Sequence, residues 1–550
     1  MLDFHMSSKA LAANQLAIQT IAHNITNAET PGYTRQVAQL KTAQPKLIPE
    51  LGYIGQGVGD VEITRKADLF LDQRIEGNLQ KLGRLTEEKN GIDKIESLLS
   101  PGDGDLISKM DNFLKKLNSL SANPDDMALR NNFVDSSKNL AISFQGYAEN
   151  YEEVLEEIHS SIKDKIEQVN QIISHIAELN KQIQEFNKNS SDIIDEREEY
   201  LKELSQVAGV KVHYTENNSA QVRLGNRLLV DNNKSYELEA VQESLEEYGV
   251  HFKGSTVKLS VKEGELSGLL NLQNEVVPEY QDKLDTLAEN FGLKVNQIHS
   301  IGTGKNGGIE SITSEEDAQD PNATLDSQGF DIKNGKFTIN LRDKNNESIS
   351  SFDINIDPSA DSLKSVSDKI DGLANINSSI TSSGGISISS DSGFDFSFSA
   401  DTSNFLPELG VNTLFKGKVA KNFEVTNWVQ DDGANLALGK DFSSGNNENA
   451  LELINAVEKT AHDELNGMTF SDFHSSSITK IGNESKSKED EVSLQTHVVD
   501  NLKEMRESIS GVSIDEEIIK LNKYQYAYQA SARLFQTVDE LMQTTINLGQ

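Results

Sequence analysis

The chain has 550 residues, of which 36% are hydrophobic, and this length predicts several compact units rather than one core. Its formal net charge of −36 repels nucleic acid and anionic membrane surfaces, so we expect neither as a partner. Because the chain has no cysteine and no run of 18 apolar residues, the sequence excludes disulfides, zinc–thiolate sites and thiol nucleophiles, and it predicts no membrane-spanning helix.

The first predicted element is a helix over residues 4–28. Its apolar positions form one stripe with a period of seven: Phe4, Leu11, Ile18 and Ile25, with Ile21 beside them. Lys9 is the one formal charge in this stretch, although 25% of the chain is charged. Because a solvated helix normally carries charges outside its stripe, we expect contacts on more than one side. The N-terminus does not resemble a cleavable secretory signal, so export would need another route.

Residues 22–36 read AHNITNAETPGYTRQ and predict a helix end followed by a turn. The amides of Asn24 and Asn27 can satisfy backbone groups where the helix ends. Thr30, which precedes a proline, favours extended backbone, and the following Pro-Gly pair suits the centre of a type II turn.

A helical region comes next. Residues 68–121 predict two helices interrupted by a Pro-Gly pair, and a longer helical pattern follows over 127–205 unless residues 187–191 interrupt it. The heptad stripe of the longer pattern, with Lys165 as its one break, is Leu155, Ile158, Ile162, Val169, Ile172, Ile176, Leu179, Ile183 and Phe186. It fits either a dimeric coiled coil or an intramolecular bundle with the 68–121 helices and the segment before residue 513. We favour the bundle, because each of these segments carries a similar stripe.

Around residue 206 the hydrophobic period becomes that of short strands. The predicted elements are strands at 210–214, 220–224 and 228–230 and a helix at 276–299. A block rich in Ser, Asn, Asp and Gly follows over 311–440, with predicted strands at 337–341, 386–388 and 394–398 and a short helix at 361–373. Helical sequence then resumes, and the polar residues 475–490 predict a loop.

The last predicted element is a long helix that begins at Ser513, because Ser513 and Glu516 have the spacing of a capping box. Its main apolar stripe is Leu521, Tyr524, Tyr528, Ser531, Phe535, Val538 and Met542. A second column runs alongside at intervals of seven: Ala527, Leu534, Leu541 and Leu548. Together the two columns predict a broad apolar face.

The two terminal helices could pair within one domain or take part in assembly of several copies. We favour assembly, with or without pairing, because a two-helix unit of this length cannot bury both stripes by itself. The same reasoning predicts frayed termini in a free monomer. The predicted polymerisation interface consists of Leu11, Ile18, Ile21, Ile25, Leu521, Tyr524, Tyr528, Phe535, Val538 and Met542.

Residues 22–36 resemble the signature of flagellar rod, hook and hook-associated proteins, an axial family. The matching positions are Asn24, Asn27, Thr30, Gly32, Tyr33 and Arg35, while His23 stands where the signature has asparagine. The segment 55–65 resembles the same family. Further segments, at 192–201, 264–302 and 510–517, resemble the members that form the junction between hook and filament.

This resemblance implies a structural subunit that assembles on the distal hook and joins it to the filament through packing of its terminal helices. The implied partners are further copies of the chain, hook protein, hook-associated protein 3, the flagellar export apparatus and a chaperone on the C-terminal helix. The implied location is extracellular, in the flagellum, after type III export. No catalytic residue, cofactor or metal site is expected.

The expected fold class is α+β multidomain, with paired terminal helices, an elongated helical bundle with a small β subdomain, and an inserted β-rich outer domain. The expected domains are residues 1–40 plus 510–550 for polymerisation, 41–310 plus 441–509 for the bundle, and 311–440 for the outer domain.

Three alternatives compete with this function. An enzyme is disfavoured, because no histidine lies in an HExxH motif and Asp60 replaces the third glycine of a nucleotide loop after Gly55. Asp195 and Arg197 fit a surface or interdomain salt bridge better than a catalytic pair. Another axial protein, such as hook protein or hook-associated protein 3, would fit residues 192–201 and 510–517 less well. A non-flagellar scaffold or adhesin has no reason to place low-charge stripes at both termini.

Overall fold

A computed structural model describes residues 2–48, 52–100, 102, 105–186 and 191–548. The fold is α+β and multidomain, as predicted. The chain divides into two compact units. Unit 1 comprises Met1–Gly91, Glu157–Asn274 and Lys486–Gln550, and unit 2 comprises Ile92–Glu156 and Glu275–Ser485. Among the described residues, no helix is both long and apolar enough to cross a membrane.

The described part of the chain forms α-helices and short strands in the following order. The helices are α1 Leu2–Thr26, α2 Leu69–Leu99, α3 Leu106–Ala122, α4 Met127–Phe186, α5 Ser191–Val207, α6 Glu265–Asn271, α7 Val277–His299, α8 Leu363–Asp371, α9 Phe405–Glu408, α10 Asn427–Asp431, α11 Glu448–Glu458, α12 Phe470–Ser510 and α13 Ile514–Leu548. The strands are β1 Gln36–Thr42, β2 Lys46–Ile48, β3 Gly52–Ile54, β4 Val58–Arg65, β5 Val210–Tyr214, β6 Ala220–Leu224, β7 Arg227–Asp231, β8 Lys234–Ser235, β9 Leu238–Gln242, β10 Tyr248–Phe252, β11 Ser311–Thr313, β12 Gly335–Asp343, β13 Ile349–Ile356, β14 Ile376–Ile380, β15 Ile386–Ser390, β16 Phe394–Ser399, β17 Phe415–Lys416 and β18 Glu424–Val425.

Small antiparallel sheets accompany the helices of unit 1. Strands β5 to β8 form one four-stranded sheet in chain order, and β1–β4, β2–β3 and β9–β10 form separate pairs. The alternation that predicted β5 and β6 is confirmed, because Val210 pairs with Leu224 and all of Val210, Val222 and Leu224 are buried. The buried residues of the four-stranded sheet therefore form part of the core of unit 1.

The heptad stripe of α4 is buried within the chain itself. From Leu155 to Ile183 every predicted stripe position is buried, whereas Phe186 is exposed. Lys165, the break in the stripe, forms an ion pair of 2.6 Å with Glu265. The intramolecular covering supports the bundle over a solitary coiled coil. α4 ends at Phe186 and α5 begins at Ser191, and the predicted interruption between them lies outside the described residues.

The prediction of a loop at 475–490 is wrong, because these residues lie inside α12. Their charges are spaced for pairing along a helix, as in Lys486 with Glu489 and Asp490. Ile481 is fully buried and Lys488 pairs with Glu88 of α2 at 2.9 Å. Tertiary contacts at a few positions thus outweigh a polar composition that suggested no structure.

Unit 2 contains the β-rich block. Sheet β13-β12-β16 and sheet β11-β15-β14 are both antiparallel and share a core with α8. The predicted strands and the predicted helix α8, which Ser362 caps, are confirmed. β13 and β14 were not predicted, because they lie at sheet edges, where β13 is mostly exposed and Ile376 is the one fully buried residue of β14.

A buried histidine links the end of α7 to two loops of unit 2. His299 is fully buried; its Nδ1 donates to the carbonyl of Asn412 (2.8 Å), and its Nε2 accepts from the backbone N–H of Ala437 (3.0 Å). Asn412 also accepts a bond from the indole of Trp428, the chain's only tryptophan. A proton on Nε2 would place two donors face to face, so this geometry requires a neutral ring.

We expect unit 2 to lose stability as the pH falls from about 6.5 to about 4. Burial, with a smaller contribution from Arg130, lowers the pKa of His299 to about 4, so the unfolded chain takes up the proton first. The loss from this group should reach about 3 kcal/mol. Denaturant unfolding followed by Trp428 fluorescence across this range measures it.

The matched variants for this test are His299→Gln and His213→Gln, the latter at an exposed position of β5. The His299→Gln variant should show a weaker pH dependence of the free energy of unfolding of unit 2 over this range. The slope that remains is due to other buried groups such as His474, whose pKa is also lowered by burial. The His213→Gln variant should keep the full pH dependence. An unchanged slope in His299→Gln would contradict the account.

Candidate assembly interface

The two terminal helices pack against each other in antiparallel orientation. The ring centroids of Phe4 and Phe535 are 4.6 Å apart near one end of the pair. In the middle the Asn14 amide donates to the hydroxyl of Ser531 (3.1 Å). The main apolar stripe of each helix is partly covered in this pair, and we call the contact between the two helices the seam.

All ten residues predicted for the polymerisation interface lie on these two paired helices. On α1, Ile21 is buried while Leu11, Ile18 and Ile25 are partly buried. The partly buried positions on α13 are Leu521, Tyr524, Tyr528, Phe535, Val538 and Met542. Strands β1 and β4 also pack on α1, so these residues contact other parts of the same chain.

A second apolar column on α13 is left uncovered. Leu534, Leu541 and Leu548 are 54%, 62% and 83% exposed. Two further residues continue the column toward the start of the helix, Ile519 at 70% and Tyr526 at 72% exposure. We call these five residues the outer stripe; it lies about a third of a turn from the seam. Ala527, which the sequence grouped with this column, is partly buried at the edge of the seam.

The signature residues fold into a turn and a buried hydrogen-bonded centre. Gly32 has φ +77° and the Tyr33 N–H donates to the Thr30 carbonyl (3.2 Å), which confirms the predicted type II turn. A side chain at position 32 would also collide with Glu199. Asn27 donates to the His23 carbonyl (3.0 Å) and so closes the end of α1.

Asn24 is the centre of a buried hub that also contains Tyr33, Gln36 and Glu517. Its amide donates to the Gln36 carbonyl (2.8 Å) and to the Glu517 carboxylate (3.0 Å). Its oxygen accepts from the Tyr33 hydroxyl (2.8 Å) and from the Gln36 N–H (3.0 Å). Burial and the nearby carboxylates raise the pKa of Tyr33 well above its usual value, so this hydroxyl stays a donor. The hub ties the end of α1 to the first turn of α13.

Two arginines connect residues 32–34, which lie between Asn24 and Gln36, to other elements of unit 1. Arg506 of α12 donates to the Gly32 carbonyl (3.0 Å) and pairs with Asp72 of α2. Arg65 of β4 pairs with Asp195, which also accepts from the Thr34 N–H (2.9 Å). Burial raises the pKa of Asp195 despite these partners.

Arg35 bonds both to the last residue of α12 and to the first turn of α13. Its N–H donates to the Ser510 carbonyl (2.8 Å), and its guanidinium pairs with Glu516. Sequence reasoning found Arg35 through the signature and missed Arg506. It included Arg65 and Glu517 only as members of the resembling segments 55–65 and 510–517, without a role for either. The partners lie far apart in the chain, so no local pattern marks them.

The predicted salt bridge between Asp195 and Arg197 is wrong. Both side chains are buried, and each has its own partner: Arg65 for Asp195, and Glu198 for Arg197. They are two residues apart on a helix and therefore face different directions. Neither pair resembles a catalytic arrangement. Within the described ranges, no group of three His, Asp or Glu residues could hold a metal ion.

Comparison with known proteins identifies the terminal elements and the bundle separately. The family model described as flagella basal body rod protein matches residues 2–34, and flagellar basal body rod FlgEFG protein C-terminal matches 506–548. Between them, flagellar hook-associated protein FlgK helical domain matches residues 92–311.

Curated relatives match the chain over nearly its full length. Flagellar hook-associated protein 1 of Escherichia coli (strain K12) is 24% identical over 98% of each chain. That of Bacillus subtilis (strain 168) is 23% identical over 99% of this chain and 98% of its own. The chain is similar to flagellar hook-associated protein 1 over nearly its whole length. It is a structural subunit of the bacterial flagellum.

The fold agrees with this similarity. The flagellar hook junction protein FlgK from Burkholderia pseudomallei is a structural neighbour with a TM-score of 0.55 and 15% identity. The match covers 80% of this chain and 100% of that one. The family resemblance predicted from residues 22–36 and the later segments is therefore confirmed.

Proposed function

We propose that this subunit assembles on the distal hook and joins the hook to the filament, with α1 and α13 forming the contacts between copies. The observation that carries the proposal is the outer stripe. α13 already has a folding partner in α1, yet a second apolar column, from Ile519 to Leu548, is exposed. Burial of such a column against neighbouring subunits is strongly favourable, whereas exposure has no folding benefit.

The distribution of charge supports the same proposal. Residues 1–66 contain six Lys or Arg and five Asp or Glu, and residues 510–550 contain three and five. The large net charge of −36 therefore resides in the rest of the chain. Nearly neutral termini can approach their copies closely, while the acidic remainder repels other copies and favours an outward position.

The domain roles follow from this arrangement. We propose residues 1–40 plus 510–550 as the polymerisation domain, 41–310 plus 441–509 as the bundle and 311–440 as the outer domain. Support comes from the pairing of α1 with α13 and from the small separate core of the β-rich block. The signature residues would then connect the polymerisation domain to the bundle through their bonds to Arg506 and Asp195.

The proposed partners are further copies of the chain, hook protein on one side and hook-associated protein 3 on the filament side. We also propose export through the flagellar type III apparatus, a chaperone that covers α13 before export, and a final extracellular location. Support for a chaperone is the same outer stripe, which would otherwise promote premature association in the cytoplasm. The proposed role is structural, without catalysis.

Deletion of residues 1–40 and 510–550 should leave a soluble, folded core that cannot assemble. Unit 2 contains none of the deleted residues, so Trp428 fluorescence and its unfolding transition should stay unchanged. Complementation of a strain that lacks the native protein measures assembly, with the full-length chain in parallel. Normal hook–filament junctions built from the truncated protein would overturn the proposed function.

A further inference from the structure

The apolar side chains of the seam do not by themselves select one register of α1 on α13. The apolar positions of α13 repeat every seven residues, at Leu521, Tyr528, Phe535 and Met542, and those of α1 repeat in the same way. A slide of seven residues, about 10 Å along the helices, would again bring apolar side chains together. Something else must distinguish the observed register from slipped ones.

The polar hub has the properties of a register determinant. Asn24 and Glu517 are each 1% exposed, and all four hydrogen-bonding positions of the Asn24 amide are used. A slide by seven residues would replace the Glu517 carboxylate with Tyr524 and leave that carboxylate without its amide partner. Buried groups that lose their partners are strongly unfavourable, so slipped pairs are disfavoured.

The hub is also the point at which α1 meets a fixed part of the chain. Gln36 and its neighbours are held to the end of α12 by the bond from the Arg35 N–H to the Ser510 carbonyl (2.8 Å), and to the first turn of α13 by the ion pair of Arg35 with Glu516 (3.2 Å). The turn over residues 27–32 links this segment to α1 covalently, but Asn24 supplies the side-chain bonds between them. Without Asn24, α1 could shift along α13 while the segment stays in place.

We propose that Asn24, through its bond to Glu517, sets the register of α1 on α13. The register decides which apolar residues of α13 lie in the seam and which remain on the outer stripe. A single polar residue that fixes helix alignment at a price in stability is known from coiled coils. The consequence for assembly rests on the proposed function, but the register itself does not.

The cysteine-free sequence allows a direct test by disulfide trapping in the full chain. Asn14→Cys with Ser531→Cys reports the observed register, because these side chains are in contact. Asn14→Cys with Val538→Cys, or with Tyr524→Cys, reports a slide by seven residues in either direction. Oxidation of the monomer followed by peptide mapping identifies the joined cysteines and excludes links between copies.

With Asn24 intact, the 14–531 disulfide should form and the slipped pairs should not. With Asn24→Ala, we expect at least about tenfold more slipped disulfide, because all four buried hydrogen bonds of its side chain are lost. Glu517→Ala, which leaves the α1 side of the hub intact, should have the same effect. Asn27→Ala is the matched control, because the side-chain bonds of Asn27 to the described part of the chain lie within residues 23–30, so the register should stay unchanged.

Two results would overturn this proposal. The first is exclusive formation of the 14–531 disulfide in both Asn24→Ala and Glu517→Ala. The second is loss of every disulfide in both variants, which would mean that the hub holds the pair together rather than aligning it. The disulfides form within one chain, so they report the register of α1 on α13 and not assembly. If the parent chain has the observed register but does not assemble on the hook, that result refutes the proposed function and leaves the register proposal intact.

Discussion

Replacement of both Leu534 and Leu541 by aspartate should abolish assembly on the hook and leave the monomer folded. Both side chains are more than half exposed in the single chain, so exchange for a polar residue should change the free energy of unfolding by no more than about 0.5 kcal/mol. In the assembled state the same positions would be buried between copies. A carboxylate there has no partner and opposes association by several kcal/mol, roughly a hundredfold or more per site.

A matched control is available on the same helix. Gln536 and Gln543 are also exposed and seven residues apart, but they face away from both the seam and the outer stripe. Changing both to aspartate adds the same charge to α13, so a loss of assembly in this variant would point to charge alone. We expect it to assemble nearly normally, as judged by counting complete flagella on complemented cells.

The two readouts separate an interface from a core. If the Leu534/Leu541 variant assembles normally, the outer stripe is not an interface between copies. If its monomer melts many degrees lower than the parent, the stripe contributes to the fold of the single chain instead. Either result would contradict the role given to the outer stripe.

Arg197→Ala should destabilise unit 1 by about 3 to 5 kcal/mol, the usual effect of removing one member of a buried ion pair. The guanidinium is 1% exposed and donates to the Glu198 carboxylate (2.9 Å) and to the Asn218 carbonyl (2.6 Å). Without it, Glu198 is a buried carboxylate beside Glu76. Burial and this neighbour already raise the pKa of Glu76 to about 8.

Urea unfolding followed by circular dichroism measures this effect, and Arg223→Ala at an exposed position of β6 is the control. The control should change stability by less than about 0.5 kcal/mol. Trp428 lies in unit 2, so its transition helps to assign the loss to unit 1. A change below about 1 kcal/mol in Arg197→Ala would show that the buried network adds little.

The sequence was most informative where a local pattern dictates local structure. The seven-residue stripes predicted α1 and α13, the Thr-Pro-Gly order predicted the turn at Gly32, and alternation predicted β5 and β6. These features depend on neighbours within a few residues, so they can be read from one segment at a time.

Contacts between distant segments were not predictable in the same way. Glu517 bonds Asn24 across 493 positions and Arg506 bonds Asp72 across 434, and nothing near either residue specifies its partner. The polar stretch at 475–490 was misassigned for the same reason, since its helix depends on contacts such as Lys488 with Glu88. The division of α13 into a covered seam and an exposed outer stripe also required the position of α1.

The most direct test of the central claim is the position of the protein on an intact flagellum. A small epitope tag in an exposed turn of the β-rich block, detected by immunogold electron microscopy, would locate the subunit in complemented cells. The account predicts gold confined to a narrow zone between hook and filament. Gold along the filament, along the hook or over the cell surface would contradict it.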